Sequence, residues 1–140
     1  MQRNDQLEVE KSETIIIQTS DDVVRVRRGV RALAIAGGFS LVDQTKIVTA
    51  ASEVARNTVV YGGGGAAELQ AVRDRNRAGV RVIFCDQGPG ISDVELALTD
   101  GYTSGKGLGL GLGGARRLCN EFDLKSTPGQ GTAVTLVRWK

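Results

Sequence analysis

Histidine is absent from all 140 residues. That one absence excludes Ser-His-Asp and Cys-His nucleophile systems, the usual zinc sets, and a phosphoacceptor histidine within the chain. Aromatic residues make up only 4% of the chain, so few stacking platforms exist for a nucleic acid, and a net charge of +2 gives little pull on its phosphates. We therefore expect no nucleic-acid partner. There are two cysteines, Cys85 and Cys119, with no Cys-x-x-Cys spacing, which predicts buried free thiols rather than a metal or redox pair. No apolar run approaches the length of a bilayer span, and the polar opening Met1-Gln2-Arg3-Asn4-Asp5 lacks the apolar stretch of a secretory signal. The expectation is a cytoplasmic chain without membrane contact.

With 41% hydrophobic and 24% charged residues, the chain has the composition of one globular domain, read here as spanning residues 1–140. Residues 14–18 are rich in β-branched side chains and predict a strand. Thr19 and Asp22 then offer a capping box, and Val23, Val26, Val30 and Leu33 follow at helical spacing until Gly37-Gly38. Gly29 interrupts that stripe. Arg25, Arg27, Arg28 and Arg31 crowd the same helix and read as a solvated basic face. Ser40 and Asp43 open a second helix running through Ile47, Ala51, Val54 and Thr58 to about Tyr61, where Gly62 to Gly65 stop it.

Strands are predicted over 69–73 and 80–86, the second nearly continuous in apolar character and so interior. A short helix over 92–98, another over 115–121, and strands over 122–126 and 132–139 around a Pro128-Gly129 turn complete the chain. This order fits an α/β fold of the α+β two-layer kind, with a mixed β-sheet and helices on one face.

Three groups of residues could carry chemistry. Glu53 and Asn57 stand four apart on the second helix and share a face; a carboxylate there can take a proton, and an amide oxygen suits magnesium. Asp86 ends an apolar strand and enters Gln87-Gly88-Pro89-Gly90, where it could hydrogen-bond an amino group on a flat ring. Gly105-Lys106-Gly107-Leu108-Gly109-Leu110-Gly111-Leu112-Gly113-Gly114 is poor helix and poor strand, and is suited to a backbone that approaches phosphate. Gly109 to Gly114 matches Gly-x-Gly-x-x-Gly, yet no strand immediately precedes it, so it is not a dinucleotide fingerprint. Lys106 is followed by Gly107 rather than Ser or Thr, which excludes a P-loop.

Glu53-x-x-x-Asn57, Asp86-x-Gly88-x-Gly90, the glycine tract and Gly131-Thr132 occur in the order found in the GHKL family, and the chain resembles that Bergerat-type ATP-binding fold over essentially its whole length. Residues 51–57, 86–91 and 100–104 further resemble the bacterial serine/threonine switch kinases of the RsbT type of the stressosome. The resemblance implies ATP and Mg2+ as cofactors, Glu53 as general base and Asn57 as magnesium ligand. It implies that Asp86, with Gly88, Gly90, Ile91 and Thr132, holds the adenine. Gly105, Lys106, Gly107, Leu108, Gly109, Leu110 and Gly111 would form a lid over the phosphates, with Lys106 offsetting their charge. The segment from Ile91 to Ser104 looks short beside the lids of the histidine-kinase branch. By the same resemblance, the partners would be STAS-domain phosphoacceptor and scaffold proteins and a PP2C-type phosphatase activated on release, in a stress-signalling partner switch. Three alternatives stay open: an anti-sigma factor with kinase activity of the same fold, an ATPase that transmits motion, and a nucleotide-binding module without catalysis.

Overall fold

The computed structural model describes residues 7–90, 98 and 111–140. Five strands, β1 (Leu7–Ile17), β2 (Gly65–Asp74), β3 (Arg77–Asp86), β4 (Glu121–Thr127) and β5 (Gly131–Trp139), form one sheet in the order β1-β2-β3-β5-β4. Among the described residues, the helices α1 (Ser20–Ala36), α2 (Leu41–Val60) and α3 (Gly111–Arg117) accompany it. The fold class agrees with the sequence expectation.

The sense of the sheet differs from that expectation. All four strand pairings are antiparallel, so the sheet is not mixed. The reason is parity: two helices, α1 and α2, lie between β1 and β2, and a down-and-up helical hairpin returns the chain to the end of the sheet it left. A single crossover helix would have produced a parallel pair. The same parity gathers the C-terminal ends of α2 and β3 and the N-terminal ends of β2 and β5 at one end of the molecule.

Local chemistry places the helix starts. The Asp22 carboxylate accepts from the backbone of Thr19 at 3.0 Å and of Gln18 at 2.8 Å, and Ser40 Oγ accepts from Asp43 N at 3.2 Å. These contacts satisfy amides that a helix N-terminus leaves without intrahelical partners. The apolar stripes then turn inward: Val26, Val30 and Leu33 of α1 and Ile47, Ala51 and Val54 of α2 pack on Leu69, Val82, Phe84 and Leu136 of the sheet. Each large side chain buried in this way contributes about 1.5–3 kcal/mol. Gly29 is explained by the same packing, since a Cβ there would lie 2.5 Å from the Leu69 side chain. Its bareness lets α1 lie close against β2.

The opposite sheet face carries no helix among the described residues. Across it runs a polar chain from Ser12 to Glu68 (2.8 Å), Gln70 to Glu68 (2.9 Å) and Arg81 to Gln70 (2.6 Å), beside a small apolar cluster of Val72, Val137 and Trp139. Arg77 lies over the Trp139 ring, 4.6 Å from its centre.

Cys85 lies exposed, because it alternates with the core residue Phe84; the expectation of two buried thiols fails there. Cys119 is half-buried, and burial pushes its thiol up to about 12, so it stays protonated at neutral pH.

Arg138 of β5 joins the layers, donating to Asp43 Oδ1 at 2.7 Å and to Leu118 O at 2.9 Å. That hydrogen bond to Arg138, offset in part by desolvation, holds the Asp43 carboxyl below its usual 3.8. A depressed carboxylate adds stability above its unfolded value and loses it as pH falls through the folded one. Melting temperature should therefore drop on acidification below about pH 4, less steeply in Asp43→Asn than in the parent. Identical slopes in pH-dependent thermal melts would remove the pair from the account.

Candidate functional site

The end of the molecule where α2, β3 and β5 converge carries the residues singled out from sequence. On α2, Ala51, Val54, Ala55 and Thr58 face the core, which turns Glu53 and Asn57 together toward a half-buried, accessible side. Glu53 Oε2 accepts from the backbone N–H of Gly111 at 3.4 Å. Gly111 opens α3 with φ +72, a left-handed conformation that favours glycine. The general-base candidate thus sits against a backbone donor from the end of the glycine tract.

Asn57 lies in the last turn of α2, its carbonyl accepting from Tyr61 N at 2.9 Å and Gly62 N at 3.1 Å. A single amide oxygen cannot hold a cation alone. Among the described residues no group of three or more His, Cys, Asp or Glu could bind a metal ion. An amide oxygen from Asn57 could serve as the one protein ligand of a magnesium ion whose other ligands are water and phosphate oxygens.

Asp86 stands at the end of β3, half-buried. Its Oδ1 accepts from Gly88 N at 2.9 Å and from Thr132 N at 3.2 Å. The carboxylate is thereby fixed by one oxygen, and its other oxygen, Oδ2, lies toward Gly62. The side chain is thus a charged acceptor of set direction. Gly90, at φ +78, lies so close to Thr127 that a Cβ would meet its carbonyl, and Gly129 N donates to Pro89 O at 2.7 Å. These contacts tie the loop after Asp86 onto the β4–β5 turn. Thr132 Oγ1 and Ser126 Oγ share a hydrogen bond of 2.9 Å.

The structure therefore brings Glu53, Asn57 and Gly111 together at one end of the site and Asp86, Gly88, Gly90 and Thr132 at the other. Ile91, Gly105, Lys106, Gly107, Leu108, Gly109 and Leu110 lie outside the described residues, as do most of the helix expected over 92–98. The helix expected over 115–121 begins earlier, at Gly111, and ends at Arg117. Sequence reasoning did not single out Gly62 and Ser126, which contact Asp86 and Thr132. Gly62 looked like a helix stop, and a four-glycine run gives no sign of which glycine meets a carboxylate.

Comparison with known proteins bears on the family and the fold. The family described as histidine kinase-, DNA gyrase B-, and HSP90-like ATPase matches residues 42–140. The serine/threonine-protein kinase RsbT of Bacillus subtilis (strain 168) is 43% identical over 123 residues, covering 88% of this chain and 92% of that protein. An anti-sigma F factor of Pasteuria penetrans is 32% identical over 105 residues, covering 71% of this chain and 70% of that protein. Among solved structures, the RsbU and RsbW domains of Rv1364c from Mycobacterium tuberculosis share the fold with a TM-score of 0.65 at 21% identity, over 93% of this chain. This chain spans about a third of that structure's length, 33%. The chain belongs to the histidine kinase-, DNA gyrase B- and HSP90-like ATPase family.

Proposed function

From that membership, we propose that the chain is an ATP-dependent protein serine/threonine kinase working in a partner switch. The observation that carries this reading is the pairing of two ends of one site: Asp86 with Oδ1 held by two backbone amides and Oδ2 beside the bare Gly62 at the base end, and Glu53 beside the Gly111 amide one helical turn from Asn57. In this reading Asp86 accepts from the adenine amino group. Glu53 takes the proton from an acceptor Ser or Thr hydroxyl as its oxygen bonds to the γ-phosphorus. The bond from that phosphorus to the β–γ bridging oxygen breaks, and ADP leaves. Magnesium, bound through Asn57 and water, would neutralise charge on the phosphates. Gly111 N–H, already directed at an anionic oxygen, offers a further backbone donor at that end. Ile91 at the base, and Lys106 with the glycines around it at the phosphates, keep their assigned roles by resemblance alone.

The finer proposal is that acceptors are small STAS-domain proteins and that the released kinase activates a PP2C-type phosphatase in the cytoplasm. The similarity to RsbT supports it. Adding a phosphate of about −1.5 to −2 charge to a contact surface would break a complex by repulsion and desolvation. The similarity to an anti-sigma F factor favours a second reading, in which the released partner is a sigma factor.

The test is incubation with γ-labelled ATP, Mg2+ and a STAS-domain acceptor, with a PP2C-type phosphatase and a sigma factor offered separately. Label should appear on Ser or Thr of the acceptor, and the phosphatase should be the protein retained. Release of labelled phosphate alone would defeat the kinase reading, while capture of the sigma factor would select the second one.

A further inference from the structure

The turn that ends α2 reaches across to the base end of the site. Gly62 donates to Asn57 O at 3.1 Å, which fixes its position relative to the helix that also carries Glu53. Its Cα faces the Asp86 carboxylate: a Cβ built on Gly62 would lie 2.6 Å from both Cγ and Oδ2, and 2.8 Å from Asp86 Cβ. From the other side, a Cβ on Gly88 would lie 2.7 Å from Gly62 Cα and 2.8 Å from Gly62 O. Gly62 is thus packed between the Asp86 side chain and Gly88, with carboxylate Oδ2 against its bare α-carbon. Oδ1 is fixed by Gly88 and Thr132 amides, so the carboxylate cannot turn away from an intruding methyl group without losing them.

We infer that Gly62 is a positioning residue that sets base specificity by leaving Asp86 Oδ2 open to an exocyclic amino group. This inference rests on the nucleotide-binding reading of the site and adds a determinant from outside the Asp86–Gly90 loop. The neighbouring Gly63 supplies the contrast. It has φ +72, so a side chain there is strained, but a Cβ on it would meet nothing within 4 Å. Substitution at Gly63 therefore disturbs the turn without touching the carboxylate.

The experiment compares ATP with purine riboside triphosphate, which lacks the 6-amino group, by calorimetry on the parent chain, Gly62→Ala, Gly63→Ala and Gly88→Ala. A hydrogen bond to a charged acceptor should make the parent prefer ATP by about 10- to 100-fold. Gly62→Ala should lower ATP affinity by at least about 10-fold while changing the analogue little, so that the preference collapses toward unity. Gly63→Ala should keep the parent preference even with a lower melting temperature. Gly88→Ala, which presses on Gly62 instead of the carboxylate, should also lose preference, and it stands in if Gly62→Ala does not fold. In transfer assays on a folded variant, KM for ATP should rise with kcat within about threefold of the parent. A folded Gly62→Ala that retains the parent preference overturns the inference, and so does a Gly88→Ala that retains it when Gly62→Ala cannot be tested. A parent chain that binds both nucleotides equally, or neither, would instead refute the adenine-binding reading.

Discussion

Glu53→Gln should lower phosphoryl transfer by about 10²- to 10⁴-fold, with ATP affinity within a few-fold of the parent. The substitution is chosen for its geometry. Glu53 Oε2 accepts from Gly111 N, and a carboxamide oxygen can accept there as well, so the start of α3 keeps its contact. What disappears is a group basic enough to receive the hydroxyl proton. Glu53→Ala removes both the base and the contact, and should reach the same low rate with a modest further loss of stability. Single-turnover transfer from labelled ATP, run beside calorimetry, separates the two effects. Transfer by Glu53→Gln at the parent rate would remove Glu53 from the role of base.

Asp86→Asn should lower ATP affinity on the order of 10²-fold, from ~2–3 kcal/mol of lost and opposed hydrogen bonding. Two backbone amides, Gly88 and Thr132, converge on Oδ1. The side-chain oxygen of asparagine must take that place, which puts its NH2 where Oδ2 was. A donor then faces the amino group of adenine, also a donor. Inosine triphosphate carries a carbonyl at the same ring position and should gain on ATP in this variant. Parallel titrations with the two nucleotides check it; an unchanged ratio would mean that Asp86 does not contact the base.

The two long helices were legible because their signals are redundant. The Val26, Val30, Leu33 stripe, the Thr19–Asp22 start and the Gly37 stop all name one helix. β3 was legible because it is interior and apolar. The first half of β1 was not, because residues 8–14 of this edge strand, Glu8, Glu10, Lys11 and Glu13 among them, are exposed on both faces and so carry no apolar alternation. The start of β2 falls on Gly65, Ala66 and Ala67, residues of low strand preference whose place is set by pairing with Cys85 and Phe84. At the site, Glu53, Asn57 and Asp86 were readable from residue type and spacing. Gly62 was not, since it meets Asp86, a neighbour distant in sequence, and Ser126 was not, since its hydroxyl meets Thr132 only through the pairing of β4 with β5.

The pairing of β1 with β2 has a consequence for how the chain assembles. Ile17 pairs with Gly65 and Leu7 with Asp74, so the whole helical hairpin lies between the partners, whereas β2 and β3 join through a tight turn. Local contacts form first and distant ones later. Until β1 arrives, β2 presents an unpaired row of amides and carbonyls beside Ala67, Leu69 and Val72, which is a template for another molecule's strand. When β1 docks, it replaces that sticky border with one carrying Glu8, Glu10, Lys11 and Glu13. A sheet closed with charge in this way should resist edge-to-edge pairing between molecules.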